Sequence, residues 1–374
     1  MKKKQWIVGL VVLVALAALL AWGRDKIHFD FHLFAAQVAR ADWRLIVLGV
    51  ACIYVAYLFR SARWSLLMRH NKKVPLFSLM GTQVMGFTAV ALIGRVADPV
   101  RPYLVAKKTD ESISSQIAVY IVERLMDMGS MALIFSVAMI WVPADEILGA
   151  LSHGGAMSRL GPDHRLLTLF IARYSGLILT VLGTAFLVVV RLSGTAVAAL
   201  FERCFGLISK NLGQSIGDKI RQFHSGLDTI RSLSDLLSTS SISIAMWVLI
   251  TMAYFSTCQA FVGPGGLPAI TAPKCVLLMT ASGTASVIQL PIIGWFSQIG
   301  LVAAALVGVL HAPIEAATAC AATLLLVTFL SIVPTGLIWA QFEHISLRNV
   351  AKESGHTEED SAPMAPAANS EAES

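Results

Sequence analysis

The chain has 374 residues, of which 56% are hydrophobic and only 14% charged, with a formal net charge of +6. Soluble domains carry roughly 25% charged residues, so too little polar surface exists here to cover a water-soluble globule, and the composition predicts an integral membrane protein. The basic excess does not indicate nucleic acid as a partner, because Lys and Arg flank apolar runs, where the cytoplasmic bias of positive charge accounts for them.

Met1 and Lys2–Lys4 precede an apolar run over 6–22. No small-x-small cleavage site follows before Gly23 and Arg24, which predicts a retained first span. Segments 45–62, 113–142, 166–190, 241–262 and 315–342 predict five more, each near or above the roughly 17–25 residues that cross hydrocarbon as helix. Two further apolar segments, 76–106 and 275–311, are interrupted by glycine. His28 and His32 sit among Phe29 and Phe31, as an interfacial aromatic segment does, and do not suggest a metal site.

Charge bias orients these segments. Lys2–Lys4 and the cluster Arg60, Arg63, Arg69, Lys72 and Lys73 fall inside. Lys107 and Lys108 place a second positive cluster after 76–106, so that segment is expected to enter from the cytoplasm and return. The stretch 143–165 falls outside. The linker 191–240, with six Lys or Arg, falls inside, as does the tail after Glu343. The nearly uncharged flanks of 275–311, Gly263-Pro264-Gly265-Gly266 and Ala312-Pro313, make it enter from outside.

The expected fold is an all-α polytopic membrane protein, with about six transmembrane helices plus two re-entrant hairpins in an inverted repeat; eight ordinary spans is the alternative. One transmembrane domain covers 1–350, with repeat halves at about 45–142 and 241–342 and an amphipathic cytoplasmic linker over 191–240. That linker carries an apolar stripe at helical spacing from Phe201 and Phe205 through Ile230. Residues 351–374, rich in Ala, Pro, Ser and Glu, predict a disordered cytoplasmic tail. Sliding the sequence by 200 positions sets Gly94 on Gly294, Asp98 on Gln298 and Ser114 on Ile314. Interrupted segments at corresponding places in two halves are a property of transporters built from inverted repeats.

Charged residues at membrane depth are the candidate site. One cluster is Gly94-Arg95-Val96-Ala97-Asp98-Pro99-Val100-Arg101-Pro102, at the break of the first hairpin, where the prolines free backbone groups that need partners. The other is Glu123-Arg124-Leu125-Met126-Asp127, inside the third span. A charge at the centre of a helix in lipid costs about 2.5–3.5 kcal/mol, so these groups must pair, line water or hold a charged ligand. Glu123 and Asp127 share a helix face, and Arg124 points about 100° away. Arg95 and Arg101 are the expected cations for the two acids, and Asp98 the expected partner of Arg124. A structural ion network and a phosphate-gripping site remain alternatives. Arg60-Ser61-Ala62-Arg63-Trp64 reads first as an interfacial anchor, with a lipid-headgroup contact as the alternative. Gln289, Pro291, Gly294, Ser297 and Gln298 supply uncharged polar groups to the second hairpin, either for helix packing or for lining a cavity. Cys52, Cys204, Cys258, Cys275 and Cys320 lack the spacing of a zinc site or disulfide framework and are expected to pack in the core. No Walker, Rossmann or nucleophile-elbow motif is present, so neither catalysis nor a cofactor or metal is expected.

Arg60-x-x-Arg63-Trp64, Gly94-Arg95-x-x-Asp98-x-x-Arg101-Pro102 and Glu123-Arg124-Leu125-x-Asp127 together resemble the flippase-like lysylphosphatidylglycerol synthase transmembrane family, which includes the membrane half of the multiple peptide resistance factor. The resemblance covers about 45–340. It implies a bilayer lipid-handling protein with an arginine-bearing loop and a Glu-Arg-Leu-x-Asp helix around a central cavity. The chain departs from the family's Pro-Gly-Arg-x-Gly-Glu loop at Ile93, Ala97 and Asp98. Ala89 stands where an asparagine is common, and Gln298 lies near the position of a frequent acid.

The leading functional expectation is a lipid flippase or related transporter in a bacterial-type plasma (inner) membrane, with both termini cytoplasmic. It would bind an anionic phospholipid or polyprenyl-phosphate headgroup through Arg95, Asp98, Arg101, Glu123, Arg124 and Asp127, with Arg60, Arg63, Gln289 and Gln298 as further candidates. A membrane subunit serving a separately encoded lipid-modifying enzyme, and a non-transporting scaffold, are the alternatives.

Overall fold

The computed structural model describes residues 29–69, 72–144, 162–206, 232–285 and 293–343, with a few positions between 209 and 217. The expected span 6–22, His28, Gln289, Pro291, most of the linker and the tail lie outside the described residues.

Ten helices follow in order among these residues: α1 Phe31–Arg40, α2 Trp43–Met68, α3 Leu76–Ile93, α4 Val100–Thr109, α5 Ile113–Trp141, α6 Pro162–Gly206, α7 Leu233–Gln259, α8 Ala272–Ala285, α9 Ile293–Leu310 and α10 Ile314–Phe342. Trp43–Met68, Leu76–Ile93, Ser234–Gln259 and Ile314–Phe342 are long and apolar enough to cross a membrane. α5 has the length, at 29 residues, and carries the charged cluster. The chain is thus an all-α polytopic membrane protein.

Local chemistry sets the helix limits. Asp30, Asp42, Ser112 and Ser232 accept hydrogen bonds from the backbone of the first turns of α1, α2, α5 and α7, and Ser232 with Asp235 completes a capping box. α6 bends at Ser193, whose φ of −139° is not helical. Beyond the bend, Val197 and Phe201 join the core cluster that holds Trp64 and Leu67, so this part of the expected surface linker lies against the bundle. In α10 a π-helical turn spans Leu326–Leu330, just ahead of Pro334. Proline removes one backbone donor and crowds the carbonyl four residues earlier, and the wider turn relieves that clash. The Tyr54 hydroxyl bonds the Ser331 carbonyl there at 3.0 Å.

The two halves run in opposite directions. Among the described residues α2 and α7 make the most extensive helix contact, with Arg63 on Ser243 and Gly49 against Thr257, an antiparallel register. α3 meets α10 antiparallel, Gly81 against Trp339 and Thr88 against Gly336. α8 meets α5 the same way, Gly283 against Met131 and Leu277 against the cluster of Met139 and Val142. α3 of the first half therefore lies on the last long helix of the second, and α8 of the second on the last long helix of the first. The first helices start at Trp43 and Leu233 and the last at Ile113 and Ile314. A slide of 200 positions fits the last pair only. Gly94 lies in the break of the first hairpin, whereas Gly294 lies inside α9.

Polar ties define two ends of the bundle. At one end Arg69 pairs with Asp235, Lys108 with Glu343 at 2.5 Å, and Lys72 Nζ donates to the Thr109 carbonyl at 2.5 Å. At the other, the Asp42 N–H donates to the Ala260 carbonyl, and Gln37 Nε2 to the Gly265 carbonyl at 2.7 Å. The segment α3–α4 therefore begins and ends beside itself at the first end. Small residues Ala316, Ala317, Ala319 and Ala321 of α10 are buried in the largest core cluster, where they allow backbones to approach closely.

Candidate functional site

The break between α3 and α4 builds one wall of the site. Gly94 closes α3 at φ 93° and ψ −172°, a conformation that a Cβ forbids. A single 3-10 turn, Arg95–Ala97, follows. Pro99 and Pro102 fall at the start of α4, where helical N–H groups have no intrahelical acceptor, so they free no backbone group for a ligand. Ala97 lies in this right-handed turn and is buried, so its position needs no glycine. Arg101 then passes so close to Gly86 of α3 that a Cβ there would overlap its Cγ.

Arg101 is fully buried. Its Nη2 reaches Glu123 Oε1 and Oε2 at 2.8 and 2.7 Å, and its Nε donates to Gln83 Oε1 at 3.0 Å. Phe87, Trp64 and Tyr120 surround the guanidinium carbon at 4.4, 5.3 and 5.4 Å from their ring centres. α2 supplies the second wall. Arg63, also fully buried, spans both acids, with Nη2 on Glu123 Oε1 at 2.8 Å and Nη1 on Asp127 Oδ1 at 2.7 Å. Its Nη1 also donates to Ser243 Oγ of α7 at 2.7 Å. Arg60 lies 3.4 Å from Glu123 and 3.9 Å from Asp127, over the Phe87 ring. Trp247 of α7 donates to Asp127 at 3.4 Å.

Arg124 occupies the open side. Its side chain is 32% exposed, lies over Tyr120, and approaches Glu123 and Asp127 at 3.6 Å each. Arg95 pairs with Asp98 at 3.5 Å. Asp98 is near enough to act electrostatically on Arg124.

Glu123, Asp127, Arg101 and Arg124 are thus brought together, and Arg60 and Arg63 join them. Two expected pairings change. Arg95 serves Asp98 rather than the α5 acids, and Arg124 turns to those acids, because α4 carries Arg101 inward and leaves the 3-10 turn at the margin. The anchor reading of Arg60–Trp64 is also corrected. Trp64 is buried and donates to Gln116 Oε1 at 3.0 Å, since α4, α5 and α7 cover the end of α2. Gln83, Gln116, Ser243 and Trp247 are site residues that the sequence reading missed. Gln83 stands seven positions into an apolar run, and its polarity there was the available signal. Gln298 is separate: its Nε2 donates to Ser282 Oγ at 2.7 Å, joining α9 to α8. Cys204 is exposed and the other four cysteines are buried. Among the described residues no group of His, Cys, Asp or Glu is arranged to hold a metal.

With this geometry in place, the chain matches the family described as lysylphosphatidylglycerol synthase TM region over residues 6–338. No curated protein and no solved structure matches it.

Proposed function

Because the chain belongs to the lysylphosphatidylglycerol synthase TM-region family, and is a multi-pass membrane protein tied by that family to lipid modification or transport, we propose that it is a lipid flippase. It moves an anionic phospholipid or polyprenyl-phosphate lipid between leaflets of a bacterial-type inner membrane, with both termini cytoplasmic and α3–α4 and α8–α9 as re-entrant hairpins. The observation that carries this reading is the meeting of Arg60, Arg63, Arg101 and Arg124 with the buried acids Glu123 and Asp127, between halves of opposite direction. Broken helices at the interface of inverted halves are where transporters of this construction bind their substrates. Guanidinium groups suit phosphate through parallel hydrogen bonds. The step is binding and desolvation, with no covalent chemistry, and the acyl or polyprenyl chain stays in lipid.

The test is leaflet exchange of labelled anionic lipids in liposomes containing the purified protein. Exchange is expected in the wild type and in Lys107→Gln, whose side chain is exposed, and is expected to fall by tenfold or more, as an order of magnitude, in Arg101→Ala. Folded protein with no exchange across a broad lipid panel would instead favour a subunit serving a separate lipid-modifying enzyme, or a scaffold.

A further inference from the structure

The charges at the site do not balance. Arginine stays charged in proteins, so Arg60, Arg63, Arg101 and Arg124 bring four positive charges. Both oxygens of Glu123 accept guanidinium N–H bonds, as does Asp127 Oδ1, which is the bonding of ionised carboxylates. The neighbouring charges cancel among themselves, Arg95 with Asp98 and Arg69 with Asp235, while Gln83, Gln116, Ser243 and Trp247 are neutral. Among the described residues, two positive charges remain in a place largely closed to water.

The surplus is matched by donors lacking acceptors. Nη1 of Arg101, Nε of Arg63 and Nε2 of Gln83, on fully buried side chains, have no hydrogen-bond acceptor among the described residues, nor do Nε and Nη2 of Arg124; these five open donors stand against one open acceptor, Asp127 Oδ2. The exposures of these arginines grade outward, from none at Arg63 and Arg101, through 11% at Arg60, to 32% at Arg124. An incoming group therefore meets Arg124 first.

We propose that the site takes a headgroup carrying two negative charges, a phosphomonoester, and that Arg124 is the residue selecting it over singly charged phosphodiesters. This rests on the lipid-handling reading above and specifies its substrate class. A monoester offers three terminal oxygens to the open donors and neutralises both surplus charges. A diester leaves one of them uncompensated, and a zwitterionic or cationic headgroup brings further positive charge.

The discriminating property is pH. A phosphomonoester loses its second proton near roughly pH 6, whereas a diester holds one charge throughout. The experiment measures binding of short-chain phosphatidic acid, phosphatidylglycerol and phosphatidylcholine, and of soluble glycerol 3-phosphate, to the full chain in detergent at pH 5.5 and 7.5. At pH 7.5 phosphatidic acid is expected to bind about tenfold or more tighter than phosphatidylglycerol, with the gap narrowing at pH 5.5. Arg124→Gln should erase most of the gap, and Lys107→Gln should keep it. Among the described residues Arg124 donates no hydrogen bond, so this variant leaves the Arg63 and Arg101 network in place.

Equal binding of the two phospholipids at pH 7.5, a gap insensitive to pH, or a gap retained in Arg124→Gln would each overturn the proposal. Binding of glycerol 3-phosphate as tightly as phosphatidic acid would overturn its lipid part. Monoester selectivity without leaflet exchange leaves the selectivity standing and removes transport; Arg101-dependent exchange without selectivity does the reverse.

Discussion

Arg63 holds three polar groups from two helices with one planar fork: Glu123 and Asp127 of α5 and Ser243 of α7. Removing it leaves two carboxylates buried with fewer partners, so Arg63→Ala should destabilise the protein by about 3–5 kcal/mol, read as a lowered unfolding temperature in detergent. Arg63→Lys should recover little of this, because a point-like ammonium cannot reproduce the fork. The pairing of Glu123 with Asp127 on one face was legible in the sequence, since four residues is a helical repeat. The role of Arg63 was not. An arginine beside a tryptophan at the end of an apolar run has the sequence pattern of an interfacial anchor, and only the cover from α4, α5 and α7 makes it interior.

At the scale of elements, the first hairpin depends on two glycines with different duties. Gly94 supplies a backbone angle that other residues avoid, and Gly94→Ala should cost about 1–3 kcal/mol. Gly86 supplies room, and Gly86→Ala should cost a similar ~1–3 kcal/mol through overpacking while also displacing Arg101, so lipid binding should fall further than the unfolding temperature suggests. Comparing the two variants in both measurements separates backbone strain from loss of the site. The interruption of 76–106 was readable from Gly94 and the prolines. That Gly86 faces Arg101 was not, because a glycine in an apolar helix has many uses and its neighbour is chosen by tertiary packing. Helix extents were readable from hydropathy in their apolar middles. α2 and α7 run past the expected limits, to Met68 and back to Leu233, because the tie of Arg69 to Asp235 and the Ser232 cap sustain polar turns that hydropathy does not register.

Across the whole molecule, the ties at the bundle ends predict which positions share a side of the membrane. In a Cys204→Ala background, Lys73→Cys and Lys107→Cys should react with an impermeant maleimide from one side, and Arg40→Cys and Val262→Cys from the other. Reaction of positions 73 and 107 from opposite sides would break the re-entrant reading of α3–α4. Two interrupted segments, one with basic flanks and one with nearly uncharged flanks, gave the expectation of opposed halves, although the drifting offset between α2/α7 and α5/α10 hid the correspondence from a single slide. The frame is doubled but its ionised groups are not: Arg60, Arg63, Arg101, Glu123, Arg124 and Asp127 all belong to the first half, and the second contributes Ser243 and Trp247. A phosphate passing through would consequently travel down an uneven potential, held firmly by the first half and loosely by the second, so the two directions of travel should differ in their slow step even with no fuel supplied.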